Sequence, residues 1–181
     1  MIYFTSDWHL RHKNILRICD RPFNSIEEME QSLISNWNNK VDKNDEVYIL
    51  GDFGFFSDYH AVNEVLDKLN GHKHLIIGNH DKYLKQNRDK LKFDSIKDYK
   101  KIKHEGVEFI LSHYPYYEWD GFFRNSIMLH GHVHTGTKGK KQLSHLGRIY
   151  DVGVDANNMQ LVSIEEIFEK MKNINNTERN F

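Results

Sequence analysis

Five short apolar runs in this chain each stop at a residue that can bind a cation or carry a proton. Ile2-Tyr3-Phe4-Thr5-Ser6 leads into Asp7-Trp8-His9, Val47-Tyr48-Ile49-Leu50 into Gly51-Asp52, Leu75-Ile76-Ile77 into Gly78-Asn79-His80-Asp81, Phe109-Ile110-Leu111-Ser112 into His113, and Ile127-Met128-Leu129 into His130-Gly131-His132-Val133-His134. Runs of this length bounded by polar turns read as buried strands, and the loops at the carboxyl ends of such strands are where α/β proteins place their sites. Helical patterns fall between them. Ser25 and Glu28 form a capping box opening a helix over residues 26–38, with Ile26, Met29, Leu33 and Trp37 at helical spacing. Ser57 or Asp58 caps a second helix, whose stripe is Ala61, Val62, Val65, Leu66 and Leu69 and which Asn70-Gly71 ends. A strand–helix–strand succession of this kind predicts parallel pairing.

Beyond Asp81 the segment to residue 92 is charged and reads as a solvated face. Residues 93–103 and 107–112 predict two strands of a hairpin turning at Glu105-Gly106, and 114–119 is an aromatic loop. The Gly- and Lys-rich run 135–146 lacks an apolar period and predicts a mobile excursion. Residues 148–154 read as a strand, and Ser163 with Glu166 makes a second capping box for a helix to about residue 171. With 181 residues, 39% of them hydrophobic, the chain supports one core, so 1–172 are expected to form a single domain and 173–181 a disordered tail.

A net charge of −1 argues against a polyanion-binding or membrane-surface patch, which leaves nucleic acid as a substrate only. Cys19 is the only cysteine, so an internal disulfide is excluded and a reducing, cytoplasmic setting is expected. No leader pattern opens the chain and no apolar run approaches the ~20 residues of a membrane span. Twelve histidines beside one cysteine direct attention to metal or acid–base chemistry.

In extended chain, side chains at i and i+2 share a face, so Asp7 and His9 can grip one ion while Trp8 faces the other way; His132 and His134 repeat the arrangement. Either pair alone fits an ordinary polar turn. Asp52 and Asn79, each following a glycine at the end of an intervening strand, make convergence at one sheet edge the better account. Carboxylate, imidazole and amide oxygen together suit Mn, Fe or Zn, and the lack of cysteine argues for an open, catalytic site over a structural zinc.

The ordered motifs Asp7-x-His9, Gly51-Asp52, Gly78-Asn79-His80-Asp81, His113 and Gly131-His132-x-His134 resemble those of the calcineurin-like metallophosphoesterase superfamily, from the first strand to about residue 155. The resemblance implies a four-layer α/β/β/α sandwich of two mixed sheets, with a dinuclear metal site at the carboxyl ends of the strands. It assigns one metal to Asp7, His9, Asp52 and His134 and the second to Asp52, Asn79, His113 and His132, making Asp52 the bridge. The cofactors it implies are two divalent ions, manganese first and Fe, Ni, Zn or Mg as alternatives. A carboxylate can span ions about 3.5–4 Å apart, and a water between them would ionise near neutral pH to attack phosphorus in line. His80 is then the general acid, with Asp81 expected to hold its ring or raise its pKa. Many members of the superfamily carry a second aspartate shortly after the Gly-Asp pair, where this chain has Phe53-Gly54-Phe55-Phe56; no metal ligand depends on it, and it leaves the substrate contacts there open.

His12, Arg17 and Arg21 follow the first ligand pair and can either reach a substrate phosphate or stand as ordinary solvated helix residues. Tyr114, its aromatic loop and Arg124 can either wall the pocket and stack on a base or form a partly buried cluster. His130 is expected to support the site without binding metal, and His60, His72, His74, His104 and His145 to be surface or structural residues. The expected activity is phosphoester hydrolysis, of phosphodiesters or nucleotides because so little chain remains for a cap over the cleft. A phosphomonoesterase or protein phosphatase of the same fold, or a metal-binding scaffold, is the alternative.

Overall fold

The computed structural model describes residues 1–176. In chain order the elements are β1 (Ile2–Thr5), α1 (Ile15–Ile18), α2 (Ile26–Lys40), β2 (Glu46–Ile49), α3 (Tyr59–Leu66), β3 (His72–Ile76), α4 (Lys82–Gln86), β4 (Ser95–Lys97), β5 (Lys100–His104), β6 (Val107–Leu111), β7 (Ile127–His130), β8 (Ile149–Asp151), β9 (Val162–Ser163) and α5 (Ile164–Met171). They build two mixed sheets, ordered β4-β3-β2-β1-β9 and β5-β6-β7-β8. β1 to β4 pair in parallel, as do β6 to β8, while β9 and β5 join antiparallel at an edge. Parallel pairing aligns strand ends, which is why all five expected loops emerge at one rim.

Each strand alternates between two apolar compartments. Phe4, Tyr48, Leu50 and Ile76 of the first sheet meet Phe109, Leu111, Ile127 and Leu129 of the second, with Ile164, Ile167 and Met171 of α5 at the margin. Val47, Ile49 and Leu75 point the other way, onto α2 and α3. The outer face of the second sheet is covered by Trp119 and Phe122, which pack on Ile110, Met128 and Ile149. The expected sandwich is therefore present, its fourth layer supplied by short turns in place of a long helix. Among the described residues no helix is long and apolar enough to cross a membrane.

Local rules explain most boundaries and several differences. α2 buries Ile26, Met29, Leu33 and Trp37 as their spacing predicts and runs two residues past the expected end, to Lys40. Ser25 Oγ accepts from Glu28 N–H, but the Glu28 carboxylate turns to Asn24, so that cap is not reciprocal; the Ser163–Glu166 box is. Asp58, not Ser57, caps α3, which ends at Leu66; Gly71, at φ +76, makes the later turn into β3. The expected strand 93–103 divides into β4 in one sheet and β5 in the other, so this segment is the crossover between them. Glu105 and Gly106 both have positive φ, as a two-residue hairpin turn requires.

The stretch expected to be mobile and the one expected to be a solvated face are both tied down. In 135–146, Thr135 N–H and the Gln142 side chain bond to Asp151, and Lys140 Nζ to the Val133 carbonyl. The segment to residue 92 buries Leu84 and Leu91 in the core. Of the expected tail, Asn176 bonds the Phe122 and Ser126 carbonyls and Arg148 N–H; residues 177–181 lie outside the described residues.

Trp8 is the largest side chain buried directly behind the rim, edge-on to Trp37, stacked on Phe53 and donating its Nε1–H to Thr5 Oγ1 at 2.9 Å. Trp8→Ala should lower stability by about 3–5 kcal/mol in urea unfolding, whereas exposed Arg17→Ala should change it by less than about 0.5 kcal/mol.

Candidate metal centre

Two groups of donors lie side by side at the rim. Asp7, His9 and His134 bring ligand atoms within 4.8 Å of one another, and so do Asp52, His113 and His132. Asp52 links the groups: its Oδ2 stands 3.6 Å from His9 Nε2 and 3.4 Å from His113 Nε2, while its Oδ1 accepts the His80 backbone N–H at 2.8 Å. Asn79 Oδ1 closes the second group, 2.8 Å from His113 Nε2 and 2.9 Å from His132 Nδ1. All seven residues expected as ligands thus converge.

The loops that deliver them are not extended. Asp7, His9, Asp52, His132 and His134 all have φ between 51 and 68, the left-handed region that costs non-glycine residues energy. The i, i+2 pairs therefore converge by alternating backbone conformation, not by strand pleat, although Trp8 does turn into the core as expected. Glycines permit the close approach: a Cβ at Gly131 would lie 2.5 Å from Asp7 Oδ2, one at Gly51 2.5 Å from His113 Nδ1, and one at Gly78 would collide with Asp52 Oδ1.

The donor chemistry fits cations. His9 has both ring nitrogens buried without a hydrogen-bond partner, and burial, then the neighbouring His134, hold its pKa down at about 2, so its lone pair is free. Burial also lowers the His113 pKa, and its Nδ1–H donates to the Leu50 carbonyl at 2.8 Å, which leaves a bare Nε2 facing the Asn79 oxygen. A cation bound beside both atoms would accept both lone pairs. Burial pushes the Asp7 carboxyl well up, and a cation there would offset that cost. For His134, hydrogen bonds to Asp155 and Cys19 outweigh burial and raise the pKa to about 10, so in the metal-free protein it carries a proton, and a cation would bind there only by displacing that proton.

Buried partners organise these groups, and the observed bonds revise the expectations for Asp81, Arg21 and Arg124. Asp81 does not hold His80. Its carboxylate accepts N–H groups from Asp52 (2.7 Å), Gly78 (2.8 Å) and Phe53 (2.9 Å), clamping two ligand loops together, and burial pushes it up to about 7. Arg21 is not a substrate contact: its buried guanidinium pairs with Asp155 at 2.8 and 2.9 Å and donates to the Asp7 and Trp8 carbonyls. Asp155 in turn holds His134 Nδ1 at 2.7 Å. Arg124 is exposed and paired with Glu108 and Asp120, and Arg17 is exposed in the last turn of α1. Trp119 is buried in the third apolar cluster, whereas Tyr114 is exposed and packs on His132 at 4.7 Å, at the site. His130 is fully buried and bonds the Gly131 carbonyl through Nδ1. His12 stands beside His9 and stacks on Phe55 at 4.2 Å.

Asp155 and Phe55 escaped the sequence reading. The former follows 149–154, a stretch broken by Asp151 and Gly153 that lacks the clean apolar run of the recognised motifs; the latter had no signal beyond its place three residues after Asp52. Replacing the carboxylate that orients a liganding histidine typically weakens metal binding about 10–100-fold. Asp155→Asn should do so in a calorimetric Mn²⁺ titration, and an affinity equal to the parent's would remove Asp155 from the centre.

The calcineurin-like phosphoesterase family matches residues 1–176. An uncharacterized protein of Methanocaldococcus jannaschii is 39% identical over 74% of this chain and 69% of its own length. The gene 66 protein of Mycobacterium phage L5 is 31% identical over 97% of this chain and 96% of its own. The crystal structure of a protein of unknown function from Aquifex aeolicus superposes with a TM-score of 0.76 at 30% identity, covering 94% of this chain and 98% of that one. The match over residues 1–176, on a fold whose strand ends gather these donors, establishes that the chain belongs to the calcineurin-like phosphoesterase family.

Proposed function

We propose that the chain hydrolyses phosphodiesters or nucleotides at a centre holding two divalent ions, manganese in preference to Fe, Ni, Zn or Mg. The observation that carries this reading is the single Asp52 oxygen set between two donor groups. Asp7, His9, Asp52 and His134 would hold one ion and Asp52, Asn79, His113 and His132 the other. Bound ions of this kind polarise phosphoryl oxygens and lower the pKa of water.

The chain's own groups divide the remaining work. Neutral imidazoles at His9 and His113 hold lone pairs inward, and Asp81, through the backbone of Asp52 and Gly78, fixes the shared carboxylate. His80 is exposed, lies 5.4 Å from the His9 ring and is tied by its backbone to Asp52. It is the group placed to give a proton to the departing oxygen. Exposed Phe55 and Tyr114 at the rim favour a substrate with substituents on both sides of phosphorus, as a diester has. With every ligand position and His80 filled, the enzyme reading is favoured over the scaffold.

Turnover of bis(p-nitrophenyl) phosphate should exceed that of p-nitrophenyl phosphate when Mn²⁺, Fe²⁺, Ni²⁺, Zn²⁺ and Mg²⁺ are supplied separately. Asp52→Asn should lose metal and about 100-fold or more in turnover. Hydrolysis of the monoester alone would overturn the diester assignment, and an Asp52→Asn protein as active as its parent would overturn the centre.

A further inference from the structure

We infer that Phe55 is the positioning residue of His80, an inference that rests on the reading of His80 as proton donor. The Asp81 carboxylate, next in sequence, is fully engaged by three backbone N–H groups. What stands against the His80 ring is aromatic: Phe55 at 5.0 Å, tilted by 32°, and His9 at 5.4 Å.

Phe55 belongs to a closed circuit of four rings. His12 stacks on it at 4.2 Å and 25°, His12 and His9 are 5.6 Å apart, and Phe55 and His9 6.0 Å. The circuit is held by backbone at every member. Phe55 N–H donates to the Leu10 carbonyl at 2.8 Å, His12 N–H to the His9 carbonyl at 3.1 Å, His9 N–H to the Asp52 carbonyl at 3.0 Å, and His80 N–H to Asp52 Oδ1. Leu10 is buried, so the anchor of Phe55 reaches into the core. Yet Phe55 itself is 40% exposed, an apolar ring held at the mouth of a polar site. Keeping it there gives up favourable burial, and it places an apolar ring against one side of His80, restricting freedom the imidazole would otherwise have.

The step it serves is the breaking of the bond from phosphorus to the leaving oxygen. That oxygen takes the bonding pair and receives the proton from a His80 ring nitrogen, which keeps the N–H pair. A leaving alcohol needs this proton, whereas p-nitrophenolate departs readily without it. Phe55→Ala, Phe55→Leu, Phe55→Tyr and His80→Asn are compared on a dinucleoside phosphate and on bis(p-nitrophenyl) phosphate, with thermal unfolding to show that each is folded.

Phe55→Ala and Phe55→Leu should lower kcat on the dinucleoside phosphate roughly tenfold more than on the aryl diester, with KM little changed. Phe55→Tyr should restore it, and His80→Asn should show the same contrast more strongly. Equal losses on both substrates, or none, in the folded Phe55 variants overturn the inference. If His80→Asn shows the contrast and the Phe55 variants do not, only the role of Phe55 is lost; if His80→Asn shows none, the proton-donor reading falls and this inference with it.

Discussion

The Asp52 carboxylate is the interaction on which the centre depends. One oxygen faces the two donor groups and the other accepts the His80 backbone N–H, so the proposed ligand sharing and the proposed place of the proton donor both follow from one side-chain orientation. That orientation is set from behind. Asp81 draws the backbone of Asp52, Phe53 and Gly78 onto one buried carboxylate, which locks the ends of β2 and β3 together. A buried acid satisfied only by backbone donors is costly unless it organises something, and here it fixes the backbone that carries Asp52.

Strained backbone recurs among the seven expected ligands. Five of them occupy left-handed backbone, each at a cost of order 1 kcal/mol or more. The surrounding structure holds them there: Asp7 N–H bonds the Gly51 carbonyl, Arg21 takes up the Asp7 and Trp8 carbonyls, and the His132 N–H is received by Asp7. Arg21 and Asp155 form a bonded path from the first motif to the last, so loops far apart in sequence are fixed as one unit. Glycines at 51, 78 and 131 supply room where a methyl group would displace a ligand.

Most of the fold was legible because its signals are local. Apolar runs ending in Asp, Asn or His gave the five strand ends, and i, i+3, i+4 spacing gave the buried face of α2 residue by residue. The seven expected ligands stand at or just beyond those strand ends, but their division between two ions came from the ordered motifs of the family resemblance, not from local pattern. Less legible was what depends on distant partners. Arg21 read as a possible phosphate contact and Arg124 as a possible pocket wall because charge is visible in sequence, whereas their partners Asp155, Glu108 and Asp120 are not. Asp81 was assigned to its sequence neighbour when its bonds run across loops, and 93–103 read as one strand because the change of sheet leaves no mark in periodicity.

The central claim is that two donor groups share one carboxylate and so form a single two-ion centre. Electron paramagnetic resonance of the protein titrated with Mn²⁺ tests it directly. The account predicts two bound ions per chain at saturation with an exchange-coupled signal, as ions about 3.5–4 Å apart give. One ion per chain, or two with the independent signals of separated sites, would contradict it.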